Sequence, residues 1–150
     1  MTEENKSIFI EDLCGRLPYG VQCRYSAIVP LLGGVVNIGD LRAIDVKQEQ
    51  FNVCGHLCMI GDLKPFLRPL SSMTDDEKKE LMDLCDITPY ETQGLNIDEY
   101  GIGVFLNGVC SINYDVMTWL NKHHFDYRGL IEKGLAYAAL NNMYVEEKQN

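Results

Sequence analysis

Ser111 to Leu135 reads SINYDVMTWLNKHHFDYRGLIEKGL, and the spacing of its apolar residues decides the fold. Val116, Trp119, Leu120 and His123 recur at i, i+3, i+4, i+7, which places four side chains on one helical face. Asp126 stands where an N-cap belongs, its carboxylate able to accept the orphan amide hydrogens of a second helix carrying Leu130, Ile131 and Leu135. The stretch predicts an αα-corner that closes a core.

Upstream, the pattern is that of a sheet flanked by helices. Ile8, Phe9, Leu13 and Leu17 recur at near-helical spacing behind a polar, frayed segment 1–5, with Ser7 as cap and Glu11 and Asp12 facing out. Pro18 ends that helix and Gly20 turns the chain. VQCRYSAIV at 21–29 alternates as a strand does, with Val21, Cys23, Tyr25 and Ala27 on one face. Pro30 and Gly33-Gly34 punctuate a turn. A second extended run, VVNIGDLRAIDV, is expected to break at Gly39-Asp40, and FNVCGHLCMI at 51–60 is a further strand weakened by Gly55. These strands, grouped between helical patterns, predict an α+β fold, a small antiparallel sheet packed by helices with a C-terminal αα-corner.

Pro65 and Pro69 hold KPFLRP extended. Thr74 and Glu77 match a capping box, Asp75 and Asp76 complement the helix dipole, and Leu81, Met82 and Cys85 supply an inward stripe, so a helix is expected over 75–86. ITPYETQGLNIDEYG reads as loop, IGVFLNGVC as a strand pair turning at Asn107-Gly108, and AYAAL as a helix running through Leu140 before a turn at Asn141-Asn142.

One domain, residues 1–150, is the expectation for 150 residues that are 46% hydrophobic. A chain of that size buries roughly 68–70% of its unfolded surface without staples. A net charge of −9 opposes binding to nucleic-acid polymers and anionic membranes. No stretch approaches the roughly 20 apolar residues of a membrane span, and MTEENKSIFIEDL lacks the layout of a signal peptide, so the cytoplasm, with its six cysteines reduced, is the expected compartment.

Several constellations carry possible chemistry. Cys54, His56 and Cys58 alternate, so on one strand all three would share a face, and Cys110 or His124 would supply a fourth zinc ligand. The spacing is not a recognised zinc pair, and ordinary buried thiols explain it, so no metal or cofactor is expected. Cys54, Cys58 or Cys110 with His123 or His124 as base would make a thiol hydrolase, but no nucleophile-elbow or cysteine-protease signature accompanies them. His56 and His123 read as structural, and His124 as an exposed helix-end residue.

Lys64, Arg68, His124 and Arg128 form the candidate ligand-binding set, a cradle for a small anionic metabolite near two helix starts. Asp75, Asp76 and Glu77 compete for the same positive end. Trp119, Phe125 and Tyr127 form the candidate interaction surface for a protein partner, with packing against the sheet as the alternative. Self-association stays open, and no residue is assigned a catalytic role.

WLNKHHFDYRGLIEKGLA at 119–136, KPFLRPLSSMT at 64–74 and LPYGV at 17–21 resemble, in that order, a family of small proteins carried by phages and prophages of Bacteroides-type gut bacteria. The motifs cover about a quarter of the chain, and the tail YAALNNMY departs from the pattern. The resemblance implies a bacterial cytosol and a mobile-element origin, and it brings no catalytic residues. The expected function is non-enzymatic: a phage accessory protein, for counter-defence, that binds a host protein or sequesters a nucleotide-like signalling molecule. A thiol- or metal-dependent hydrolase and a phage structural protein are the alternatives.

Overall fold

The computed structural model describes residues 1–29, 33–84, 95–98, 101–106, 109–110 and 114–144. The first helix, α1 (Glu3–Arg16), starts earlier than the apolar spacing indicates, because Thr2 is the N-cap: its hydroxyl accepts the Asn5 amide at 3.2 Å. Glu3 and Glu4 lie in the first turn, where carboxylates suit the helix dipole, so residues 3–5 are helical and not frayed. A 3-10 turn, Leu17–Tyr19, carries Pro18, and Gly20 takes φ 68° behind it.

Four antiparallel strands follow: β1 (Gln22–Val29), β2 (Gly33–Asp45), β3 (Gln50–Val53) and β4 (His56–Met59). With β5 (Leu63–Leu67) and the short β9 (Tyr137–Ala138) they form a six-stranded sheet ordered β4-β3-β2-β1-β5-β9, in which only β9 runs parallel to its neighbour. Gly39-Asp40 does not break the chain. β2 runs straight through it and shifts register between Leu41 and Ala43, so its first half pairs β1 and its second half β3. Gly39 is needed for closeness, since a Cβ there would lie 2.5 Å from Cys54 Sγ. Residues 51–60 are not one strand either, because Cys54 (φ 50°) and Gly55 (φ 89°) reverse the chain between β3 and β4.

The inner face of the sheet and α1 make the main core. Phe9 and Leu13 of α1 are fully buried against Val21, Cys23, Phe51, Val53 and Leu67, and the Phe9 ring meets Phe51 edge-on at 6.1 Å. Burying one such side chain stabilises the fold by roughly 1.5–3 kcal/mol, which is what holds the helix on the sheet. Leu130 and Leu135 close the same core from the far end of the chain.

A second cluster gathers α2 (Asp75–Leu84) and α3 (Tyr114–Lys122) through Leu81, Val116, Trp119 and Leu120, with Leu70, Met73 and Phe125 beneath them. The capping box forms as expected: Thr74 N–H donates to Glu77 Oε2 at 2.8 Å, and Glu77 N–H to Thr74 Oγ1 at 3.2 Å. α1 meets α3 at Gly15, where an added Cβ would come within 2.8 Å of Asn121 Nδ2. The α+β class therefore stands, a mostly antiparallel sheet packed by helices.

The corner turns at His123-His124, with α3 as its first limb. Its second limb is headed by the Asp126 cap, whose two carboxylate oxygens accept the Leu130 and Ile131 amides at 2.8 Å each. Gly129 and Gly134 adopt φ 66° and 69°, so this limb winds as a run of turns where regular helix was expected. AYAAL is not helical: Tyr137 and Ala138 join the edge of β5, and the Ala139 amide donates to Leu67 at 2.7 Å.

A separate three-stranded antiparallel sheet comprises β6 (Leu95–Asp98), β7 (Gly101–Leu106) and β8 (Val109–Cys110). β7 and β8 pair as the Asn107-Gly108 hairpin predicts, while the turn residues themselves lie outside the described residues. So do Pro30, most of the expected loop 87–101, the Cys85 end of the α2 stripe and the acidic tail 145–150. Among the described residues no helix is long and apolar enough to cross a membrane.

Candidate functional site

A cleft of about 910 Å³ opens where the end of β5, the start of α2, the C-terminus of α3 and the chain after β9 meet. Its walls take Tyr19 and Gly20 from LPYGV, Arg68, Ser72 and Thr74 from KPFLRPLSSMT, and Lys122, His123 and His124 from WLNKHHF. Three separated stretches thus converge on one concavity, and Asn141 to Tyr144 complete it.

Its central side chain owes its place to how α3 ends. The Phe125 amide donates to Leu120 at 3.0 Å and the His124 amide to Asn121 at 3.2 Å, the paired bonds of a Schellman motif. That motif puts residue 124 in the left-handed region, and His124 has φ 58°. Glycine occupies the position most cheaply; an imidazole there costs roughly 1 kcal/mol of backbone strain. The ring is only 4% exposed and stacks on Tyr144, centroids 3.9 Å apart. Burial is the main cause that lowers the His124 pKa to about 4, reinforced by the Arg16 charge, so at neutral pH the ring is uncharged. His124 is therefore neither an exposed residue nor a cation, contrary to the reading of it as a dipole-favoured helix end.

His123 stands beside it with its ring edge against Trp119, centroids 4.1 Å apart, and burial lowers its pKa also. The Nδ1 atoms of both histidines are buried without a hydrogen-bond partner. Such atoms cost stability unless something meets them.

Arg68 is held from three sides. Its guanidinium grips Glu77 with bonds of 2.6 and 3.0 Å, lies 4.2 Å from the Phe125 ring centroid, and its backbone bridges to Phe125. Burial pushes the Glu77 carboxyl up, but the Arg68 and Thr74 hydrogen bonds outweigh it, and the net pKa lies below the ordinary 4.5. Arg68 is thus already neutralised. Lys122 forms no ion pair among the described residues.

The four residues of the candidate cradle do not converge. Arg68 and His124 share the cleft, while Lys64 lies over the Tyr137 ring and Arg128 reaches Glu11 at 2.8 Å. The candidate interaction surface is largely interior: Trp119 is 6% exposed and Phe125 fully buried, their rings stacked at 5.6 Å in the second core cluster. Tyr127 is half-buried, bonding Asn121 at 3.0 Å under the Arg16 and Arg128 guanidinia.

Cys54 does not share a strand face with His56 and Cys58, because the chain reverses at Cys54-Gly55 and only the latter two lie on β4. Cys54 and His56 are exposed, Cys58 is buried, and His56 Nδ1 meets Tyr25 Oη at 3.3 Å. Among the described residues no three His, Cys, Asp or Glu side chains gather as metal ligands.

The buried charges escaped the sequence reading altogether. Asp12, expected to face out, is fully buried and bonds Arg16 at 2.6 and 2.9 Å; Arg16 Nη2 also donates to the Phe125 carbonyl at 2.8 Å. Arg128 lies 3.6 Å from the same Asp12 carboxylate. The i, i+4 spacing of Asp12 and Arg16 was the available signal. Comparison of the chain with protein-family models, curated proteins and solved structures finds no match.

Proposed function

We propose that this chain is a non-enzymatic binding protein that takes a small polar ligand into the cleft, acting as a phage or prophage accessory protein in its host. The observation that carries the reading is the placement of His124: a neutral, buried imidazole set at strained backbone on the cleft wall, its Nδ1 lacking a partner. The cleft volume falls in the range of small-ligand sites, about 300–1,000 Å³. Burial of Trp119 and Phe125 favours a small molecule over a docked protein. The Arg68–Glu77 pair leaves Lys122 as the uncompensated charge among the described cleft residues, which favours a neutral or weakly anionic ligand over a polyanion.

Binding suits the lining better than bond-breaking does. Among the described residues no cysteine lines the cleft, and Ser72 Oγ donates to the Pro69 carbonyl at 2.7 Å instead of to a histidine. Thermal-shift screening with nucleosides, nucleotides, amino acids and sugars, followed by NMR of the histidine rings, tests the reading. A binder should raise the melting temperature and move the His123 and His124 ring signals, and Lys122→Glu should weaken it. A panel that leaves both rings unmoved overturns the proposal.

A further inference from the structure

We infer that Arg24, Lys64 and Tyr137 form a second site, one that recognises a phosphoryl group on the outward face of the sheet. Arg24 and Lys64 are partners in register across β1 and β5, so two cations stand directly opposite one another. Like charges so placed destabilise a sheet. The chain has 22 acidic residues against 13 basic ones, so carboxylate partners are plentiful. Yet among the described residues neither cation forms an ion pair.

Both converge on Tyr137 instead. Each charged group lies 5.3 Å from its ring centroid, and Arg24 Nη1 donates to the hydroxyl at 3.2 Å. Phe66 packs against the same ring, centroids 5.7 Å apart, so the tyrosine is a fixed pillar between the cations.

The chemistry of this group is one-sided. Guanidinium and ammonium are pure donors, and a phenol that accepts from Arg24 keeps its own O–H to donate. Three donors with two positive charges match a tetrahedral oxyanion, above all a phosphate dianion. Two carboxylates lie close by along the strands: Asp40, opposite Gln22 on β2, is engaged by the Gln22 side-chain amide, and Asp62, just before β5, pairs neither cation among the described residues. They disfavour extended polyanions and leave a compact monoester as the fitting ligand. This inference does not rest on the cleft, whose lining includes none of the three residues.

Titration of the full chain at low ionic strength, read from amide NMR shifts, tests it with inorganic phosphate, adenosine monophosphate and glycerol 3-phosphate as separate arms. The expected result is saturable shifts at residues 24, 64 and 137 in at least one arm, with Kd raised tenfold or more in R24A/K64A and less in Y137F. A nucleotide-only response identifies a nucleotide source; responses to all three assign recognition to the phosphoryl group itself. Without ligand, K64A should hold or raise Tm, because it removes the repulsion. Absence of saturation in every arm, or unchanged binding in R24A/K64A, overturns the inference, as does a K64A variant that loses Tm and binds as the parent does.

Discussion

At the scale of single residues, the molecule concentrates its risk in side chains that are buried and polar. Arg16 and Asp12 are both fully buried, and without Arg16 the Asp12 carboxylate loses both of its hydrogen bonds from Arg16 and keeps only the longer contact to Arg128 at 3.6 Å. Arg16→Met should therefore cost about 3–5 kcal/mol in urea unfolding. The double variant Asp12→Leu/Arg16→Met should cost clearly less, since it removes both charges together; equal losses would show that packing, not the stranded carboxylate, is responsible. His124 sets a pH dependence. Its folded pKa, about 4, lies below the unfolded 6.5, so between those values the unfolded chain binds the proton more readily. The stability it contributes is complete above pH 6.5 and is lost as pH falls to about 4, a change on the order of 3 kcal/mol. His124→Asn, a residue that accepts left-handed backbone, should flatten that window in unfolding midpoints measured at pH 7 and pH 4.5.

At the scale of elements, the parts whose stabilisation is local were the parts open to reading. The capping box of α2 depends on Thr74 and Glu77 three residues apart, and it forms as its spacing demands. Thr74→Ala should lower stability by about 1 kcal/mol through loss of the cap. Glu77 also answers to Arg68, nine residues away, and its depressed pKa gives stability present above about pH 4.5 that is lost as pH falls further. Glu77→Gln should remove that acid limb, as seen by comparing urea midpoints of the two proteins at pH 6 and pH 3. β9 shows the opposite case. AYAAL has good helix formers, but two of its residues complete the edge of β5, and the tertiary hydrogen bonds override propensity.

At the scale of the whole molecule, the segment after β9 is tied back onto the central strands of the sheet. Tyr144 inserts its hydroxyl where β1 and β5 part, accepting the Gln22 amide at 3.0 Å and donating to the Phe66 carbonyl at 2.8 Å. Tyr144→Phe leaves both backbone groups without that partner and should cost about 1–3 kcal/mol, with faster hydrogen exchange at Gln22. By itself, the sequence determined the α+β class, the alternation of β1, the α2 cap, the Asp126 cap and the apolar stripe of α3. Each follows from periodicity or from a hydrogen bond between near neighbours, which every chain with those residues tends to make. Only the tertiary structure decided that Asp12 turns inward, that Trp119 and Phe125 leave the surface, and that Arg68 and His124 share a cleft while Lys64 and Arg128 do not. Those outcomes depend on which distant groups fill the space around each side chain, because burial, pairing and the pKa values that follow are properties of the packed neighbourhood.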